Sequence, residues 1–351
     1  MHLILVFLVV TILFCSKKGV LHQLAIILLV LFFSSRNELV PDTIEYIDIY
    51  NNPDASLSFE VGYRFLCHFF KDILGLTFKQ YLAVILFILL ELFYYTTKKL
   101  FPIYKTGVLT VLLLSYFGFF YYGIVLRNSI AITISYSAIP LLIQNTNYKI
   151  LRKSIRLLLF WGIVFFASLF HQAALLFVIV PFLLFSFPQW TKYLLLLLSS
   201  VLLFLGTISP IYSFISSFIL DNEIARVSAY FVRDLSSDWA GVLQWYYVGF
   251  GFLFVFNDKN VVFLNDKEKR LYTLFLNLYI VGVFLNSALW QVDVAARFAM
   301  QILFFDFILF YVLVFRNVKT KDIYFKVFLF LSICGIQFFS LIHFVPLILN
   351  Y

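Results

Sequence analysis

The sequence predicts an all-α, polytopic membrane protein with about twelve spanning helices, between ten and twelve. Three observations predict it. Hydrophobic residues make up 63% of the 351-residue chain and charged residues 13%, too little polar surface to cover a water-soluble particle of that length. The apolar residues come in continuous runs instead of alternating, which in lipid is the pattern of helices and not of barrel strands. Lys and Arg gather in every second connection between the runs, as in cytoplasmic loops.

Taken in order, the first run, 1–15, is followed by Lys17 and Lys18 and not preceded by positive charge, so it reads as a retained helix and not a cleaved leader. Runs follow at 20–33, 79–97, 106–120, 122–143, 157–170, 172–187, 191–208, 241–256, 271–289, 297–315 and 324–348. Several are shorter than the ~20 residues of a usual span. The pair 157–170 and 172–187, with Pro181 and Pro188, reads either as two spans or as a re-entrant hairpin. The run through Ser129, Ala131, Thr133, Ser135, Ser137 and Ala138 is rich in small residues that permit close packing, which predicts a central helix.

The longer connections, 34–78 and 209–240, are too small to fold alone, so a single membrane domain over 1–351 is expected. With the N-terminus outside, the basic groups Lys17–Lys18, Lys98–Lys105, Lys149–Arg156, Lys259–Arg270 and Arg316–Lys326 all fall inside. Both termini then lie on the outer side. Acidic residues concentrate in the two long outer loops, so chemistry is expected on that face.

The formal net charge of +8 sits in these short loops. There is no basic tail and no basic face interleaved with stacking aromatics, which argues against nucleic acid as a partner. Cys15, Cys67 and Cys334 have no CxxC or Cys/His spacing. No P-loop, GxGxxG, HExxH or GxSxG occurs, and His2, His22, His68 and His343 lack companions for a metal. No cofactor and no metal site are expected.

Four constellations carry candidate chemistry. In the outer segment Pro41 to Tyr50, Asp42, Glu45 and Asp48 recur every three residues and share one helical stripe, with Tyr46 and Tyr50 beside it. Glu60-Val61-Gly62-Tyr63-Arg64 follows. Carboxylates and rings together grip sugars, the former accepting hydroxyl hydrogen bonds and the latter covering apolar sugar faces. The plainer reading is a solvated helix with a Glu60–Arg64 ion pair. Next, Arg127 sits inside an apolar run, about 8 Å along the helix from Tyr121 and Tyr122. A cation there is costly unless it faces a polar partner, and a guanidinium suits phosphate. His171, in Phe170-His171-Gln172-Ala173-Ala174, stands at the outer end of two spans, where it can take a proton or merely pack. Last, Asp293 and Arg297 stand four apart at the outer edge, either a second phosphate site or a simple pair. Glu91 and Asp306 lie within spans, Glu91 near Lys98 and Asp306 as either a buried partner or a proton site.

Asp42 with Tyr46, Glu60-Val61-Gly62-Tyr63, Arg127-Asn128-Ser129-Ile130-Ala131 and His171-Gln172-Ala173-Ala174, in that order, resemble the EpsG family, related in role to Wzy-type O-antigen and capsule polymerases. Asn128 stands where the family more often has Gln, and no family signature matches 209–240. The resemblance implies a GT-C-like, metal-independent membrane glycosyltransferase in the bacterial inner membrane. Its substrate would be an undecaprenyl-pyrophosphate-linked oligosaccharide met at the outer face of the bilayer, and a chain-length regulator is a conceivable partner. In that reading Arg127, His171, Asp42 and Glu60 are catalytic, and Arg297, Asp293, Tyr46, Tyr50 and Arg64 bind substrate. The rival readings are a flippase for the same lipid-linked sugar, which predicts charges along a path through the bilayer, and an acyltransferase decorating the polymer.

Overall fold

The computed structural model describes residues 9–10, 12–13, 19–36, 38, 40–54, 59–101, 116–143, 150–206, 238–263, 265–289, 299–315 and 335. The chain divides into two compact helical units, one comprising Met1–Val178 with Asp322–Tyr351 and the other Ile179–Lys321.

In the first unit, helix α1 (Gly19–Ser34) precedes the segment 40–77. There α2 (Thr43–Asn51) and α3 (Val61–His68) pack on each other, and α3 runs into a π turn, Phe69–Ile73. The acidic stripe of α2 faces outward at Glu45 and Asp48, while Thr43, Tyr46, Ile49 and Tyr50 are buried. Helix α4 (Phe78–Leu100) starts at a capping box, in which the Thr77 hydroxyl accepts from the Gln80 N–H and the Gln80 side chain accepts from the Thr77 N–H. Lys98 and Lys99 in its last turn complement the negative end of the helix dipole. Glu91 accepts from Gln23 of α1 at 3.3 Å, so its partner is a neighbouring helix and not Lys98.

The run expected at 122–143 is broken. Helix α5 (Tyr116–Gly123) ends, Ile124 and Val125 turn, and α6 (Leu126–Ile143) begins. Arg127 therefore stands in the first turn of a new helix and not about 8 Å along a continuous one from Tyr121 and Tyr122. The Ser129 hydroxyl reaches back across the break to the carbonyls of Val125 (3.0 Å) and Tyr121, which holds the turn closed. As its small residues predict, α6 is buried on most of its faces and packs against α4, α5 and α7 (Ile150–Ser168). Tyr136 and Tyr122 pair their hydroxyls with those of Thr97 (3.2 Å) and Thr133 (3.1 Å), satisfying polar groups that lipid cannot.

After α7, Leu169 and Phe170 turn and a 3₁₀ helix, Gln172–Leu184, runs back. Trp161 of α7 donates to the Val178 carbonyl at 3.3 Å across this hairpin. At ~2.0 Å rise per residue a 3₁₀ helix is longer than an α-helix of equal residue count, so this short apolar run covers most of a bilayer core. Ala131, Ala167 and Ala174 form one buried cluster, with Ile134 against it. Three methyl side chains at this crossing let α6, α7 and the 3₁₀ helix close tightly.

The second unit packs α8 (Gln189–Gly206), α9 (Asp238–Asn257), α10 (Asp266–Leu289) and α11 (Asp306–Phe315). Three buried polar side chains in it are paired: Lys192 with Asp258 at 2.5 Å, Asn277 with the carbonyls of Leu183 and Phe185, Asn286 with Gln244. Asp306 is buried at the start of α11, where the N-terminal end of the dipole favours a carboxylate.

Among the described residues three helices are long and apolar enough to cross a membrane: Phe78–Leu100, Leu126–Ile143 and Asp266–Leu289. Four shorter apolar helices accompany them, Gly19–Ser34, Gln172–Leu184, Gln189–Leu205 and Ala299–Leu313. The described residues are helical with no strand, as a helical membrane protein requires, and these apolar helices do not confirm the expected dozen spans. The expected runs at 1–15 and 324–348 lie almost wholly outside the described residues, and others end at breaks that an apolar run does not reveal.

Candidate functional site

The site lies within the first unit and is assembled around Glu60. Glu60 occupies the N-cap position of α3 in extended conformation (φ −61°, ψ 144°), and its carbonyl accepts from the N–H groups of Tyr63 and Arg64. An N-cap side chain usually turns in to bond its own helix. The Glu60 carboxylate does not. One oxygen accepts from Arg127 Nη1 at 2.8 Å and the other meets His171 Nδ1 at 2.9 Å. These partners lie 67 and 111 residues away in sequence. The side chains of Glu60, Arg127 and His171 keep 14%, 23% and 22% of their exposure, enough to meet a ligand and little enough to strengthen their charges.

The backbone explains how they meet. Leu169, at the end of α7, has a carbonyl with no intrahelical partner, and it accepts the Gly62 N–H at 2.8 Å. A Cβ on Gly62 would lie 2.7 Å from that oxygen, so only glycine permits the approach. Glu60 is two residues before Gly62 and His171 two after Leu169, so this single contact sets their distance. The alanine cluster does the same for Arg127. Ala131 is one turn beyond it on α6, and Ala167 and Ala174 flank His171. The Phe59 ring lies under the Arg127 guanidinium at 3.9 Å, a cation–π contact that ties the charge to the 40–77 segment. At its far end the segment is tied by His68, which bonds Asp72 (2.7 Å) and Asp54 (3.0 Å), and by Lys71 on the Asn51 carbonyl.

Burial pushes the Glu60 carboxyl up, but the hydrogen bond to His171 and the Arg127 charge outweigh it and hold it down at about 2. Glu60 is therefore ionised at any physiological pH and can only accept, so His171 Nδ1 carries the proton of their hydrogen bond. That leaves Nε2 of a neutral His171 with a free lone pair, the arrangement by which a carboxylate fixes the tautomer of a histidine base.

Tyr46 is buried next to Arg127, with its ring 5.7 Å from that of Tyr63. Burial raises its phenol above the ordinary value, against the pull of Arg127. Asp42 precedes α2 in the left-handed region (φ 64°), a conformation Asp tolerates better than most residues, and its carboxylate does not cap the helix. Tyr50 turns elsewhere: it donates to the Leu76 carbonyl at 2.7 Å and stacks on Tyr81, as a packing residue at the foot of α4. Arg64 makes no ion pair with Glu60, whose carboxylate is committed to Arg127 and His171. Asp293, Arg297 and the 209–237 stretch lie outside the described residues. Among the described residues no group of three or more His, Cys, Asp or Glu could hold a metal ion.

One residue has no counterpart among the sequence motifs. Arg36, at the end of α1, is 2% exposed, donates through Nη1 to the carbonyls of Gly123 (3.0 Å) and Ile124 (3.2 Å), and lies 5.7 Å from the Tyr46 ring centre. The only signal for it in the sequence is a basic residue on the acidic side of the charge pattern.

No curated protein and no solved structure shows significant similarity to the chain. The EpsG family profile, however, matches residues 20–351. That range holds every residue of the Glu60 site, and the chain belongs to the EpsG family, which is associated with polysaccharide polymerases.

Proposed function

We propose that this protein polymerises undecaprenyl-pyrophosphate-linked oligosaccharide units at the outer face of the bacterial inner membrane. The observation that carries the reading is the bridging of Arg127 and His171 by one ionised carboxylate, Glu60, beside aromatic residues. In the reaction, the bond between the anomeric carbon of the growing chain and its carrier pyrophosphate breaks. A new glycosidic bond forms to a hydroxyl at the free end of the next lipid-linked unit. The hydroxyl proton passes to His171 Nε2, and Glu60, bonded to Nδ1, orients the ring and offsets the charge it gains. Negative charge grows on the departing pyrophosphate, where Arg127 stabilises it. Asp42 and Tyr46 lie on the same outer segment and supply sugar contacts.

Because Glu60 already holds Arg127, the guanidinium meets phosphate only through its remaining N–H groups. The anion is then gripped by a fork edge and not by the whole cation. The test is the lipid profile of cells expressing Arg127→Ala at normal level. Polymer disappears and single lipid-linked units accumulate on the outer side, as in a deletion strain. A normal ladder of chain lengths would refute the assignment. Units trapped on the inner side would indicate a flippase instead, and full-length but unacylated polymer an acyltransferase.

A further inference from the structure

We propose that Arg36 is a second anion-binding residue of this site, taking one phosphoryl group of a lipid-linked diphosphate on the Nε–Nη2 edge of its guanidinium while Arg127 takes the other; this rests on the polymerase reading above. Arg36 is held at one edge only. Nη1 donates to the carbonyls of Gly123 and Ile124, at the negative end of α5. Nε and Nη2 are buried and make no hydrogen bond among the described residues. Those two nitrogens form the edge of a guanidinium that grips two oxygens side by side.

Nor does Arg36 form an ion pair among the described residues. Beside it lies the Tyr46 ring, and Tyr63 and Tyr81 of α3 and α4 and the Asp42 carboxylate act on it electrostatically, Asp42 the most weakly of these. A cation withdrawn from water without a counter-ion is costly, and such residues are retained at ligand sites in membrane proteins. Its placement relative to Arg127 is built in. The carbonyls it holds, Gly123 and Ile124, immediately precede the first turn of α6, which carries Arg127, and Tyr46 neighbours both guanidiniums. One turn of chain thus sets the spacing of two cations around one phenol ring. A diphosphate carries more charge than Arg127 alone can offset while Glu60 occupies its Nη1. Arg36 and the Tyr46 ring beside it are both buried, so binding requires local movement that opens the guanidinium edge.

The experiment uses the full chain purified in detergent, with thermal unfolding followed against increasing inorganic pyrophosphate and, in a parallel arm, inorganic phosphate. Wild type is stabilised by pyrophosphate at lower concentration than by phosphate. Arg36→Lys keeps a charge and a donor for the carbonyls, and Arg36→Gln keeps a donor only. Both retain a melting temperature close to wild type without ligand but need at least tenfold more pyrophosphate for the same rise. Wild-type pyrophosphate response in either variant overturns the proposal, as does failure of both to fold, which would make Arg36 a clamp on the α5–α6 turn. Arg127→Lys separates the two readings. If it loses the response while the Arg36 variants keep it, the polymerase reading stands and Arg36 falls. If wild type shows no response, both fall.

Discussion

Glu60 decides the chemistry at the residue scale. Its carboxyl is ordinarily near 4.5 and is held at about 2, so its stabilising contribution is complete above the ordinary value and disappears as pH falls through about 2. That contribution is at most about 3.5 kcal/mol, since a tenfold change in acid strength corresponds to about 1.4 kcal/mol. Water reaching the partly open carboxylate screens it below that ceiling. Glu60→Gln should therefore melt lower than wild type at pH 7, and the gap should narrow toward about pH 2–3. In activity the same variant leaves His171 without a fixed tautomer. Polymer formation should fall on the order of 100-fold, while Arg127-dependent pyrophosphate binding persists or tightens as Nη1 is freed. Unchanged polymer yield in Glu60→Gln would exclude it as the residue that positions His171.

Helix crossings decide whether these side chains meet at all. Gly62 touches the end of α7 through its own backbone, and a Cβ there would press on the Leu169 carbonyl. Gly62→Ala should uncouple α3 from the hairpin, lowering activity at least tenfold with the protein still folded; full activity would show that the contact does not set the site. At the alanine crossing, Ala131→Leu adds volume where three helices close. Overpacking of this kind costs about 1–3 kcal/mol, and the measured loss should appear in both melting temperature and activity because Arg127 is one turn away. A Leu at Ile134, which only borders the cluster, should be nearly neutral in both measurements. The Asn and Ala of the Arg127 motif and the alanines after His171 were legible as a pattern. Their purpose was not, because a small residue announces close approach without naming the surface approached.

For the molecule as a whole, the topology expected from charge placement, with the Glu60 site on the outer side, remains a proposal that a fusion experiment tests. A phosphatase domain fused after Tyr351 should then be active in living bacteria, and a fluorescent protein that matures only in the cytoplasm should stay dark there; the opposite pair of results would invert the proposed topology. The helical membrane class was legible because composition and continuous apolar runs leave no other solvent than lipid. The span count was less so. Run length does not show where a helix breaks, as at Ile124–Val125, or where it tightens to a 3₁₀ form, as at Gln172–Leu184.

The sequence by itself determined the solvent, the helical class and the presence of Glu60, Arg127 and His171 as costly polar groups in a largely apolar chain. Hydropathy and charge are local properties, and each of these conclusions needs nothing more. Only the tertiary structure decided that Glu60 bridges the other two, that Tyr50 packs away from them, and that Arg36 lies over Tyr46 with a guanidinium edge that has no partner among the described residues. Those facts depend on contacts between residues far apart in the chain, made where a glycine and three alanines let helices approach. No local pattern in a single sequence encodes which surfaces meet there.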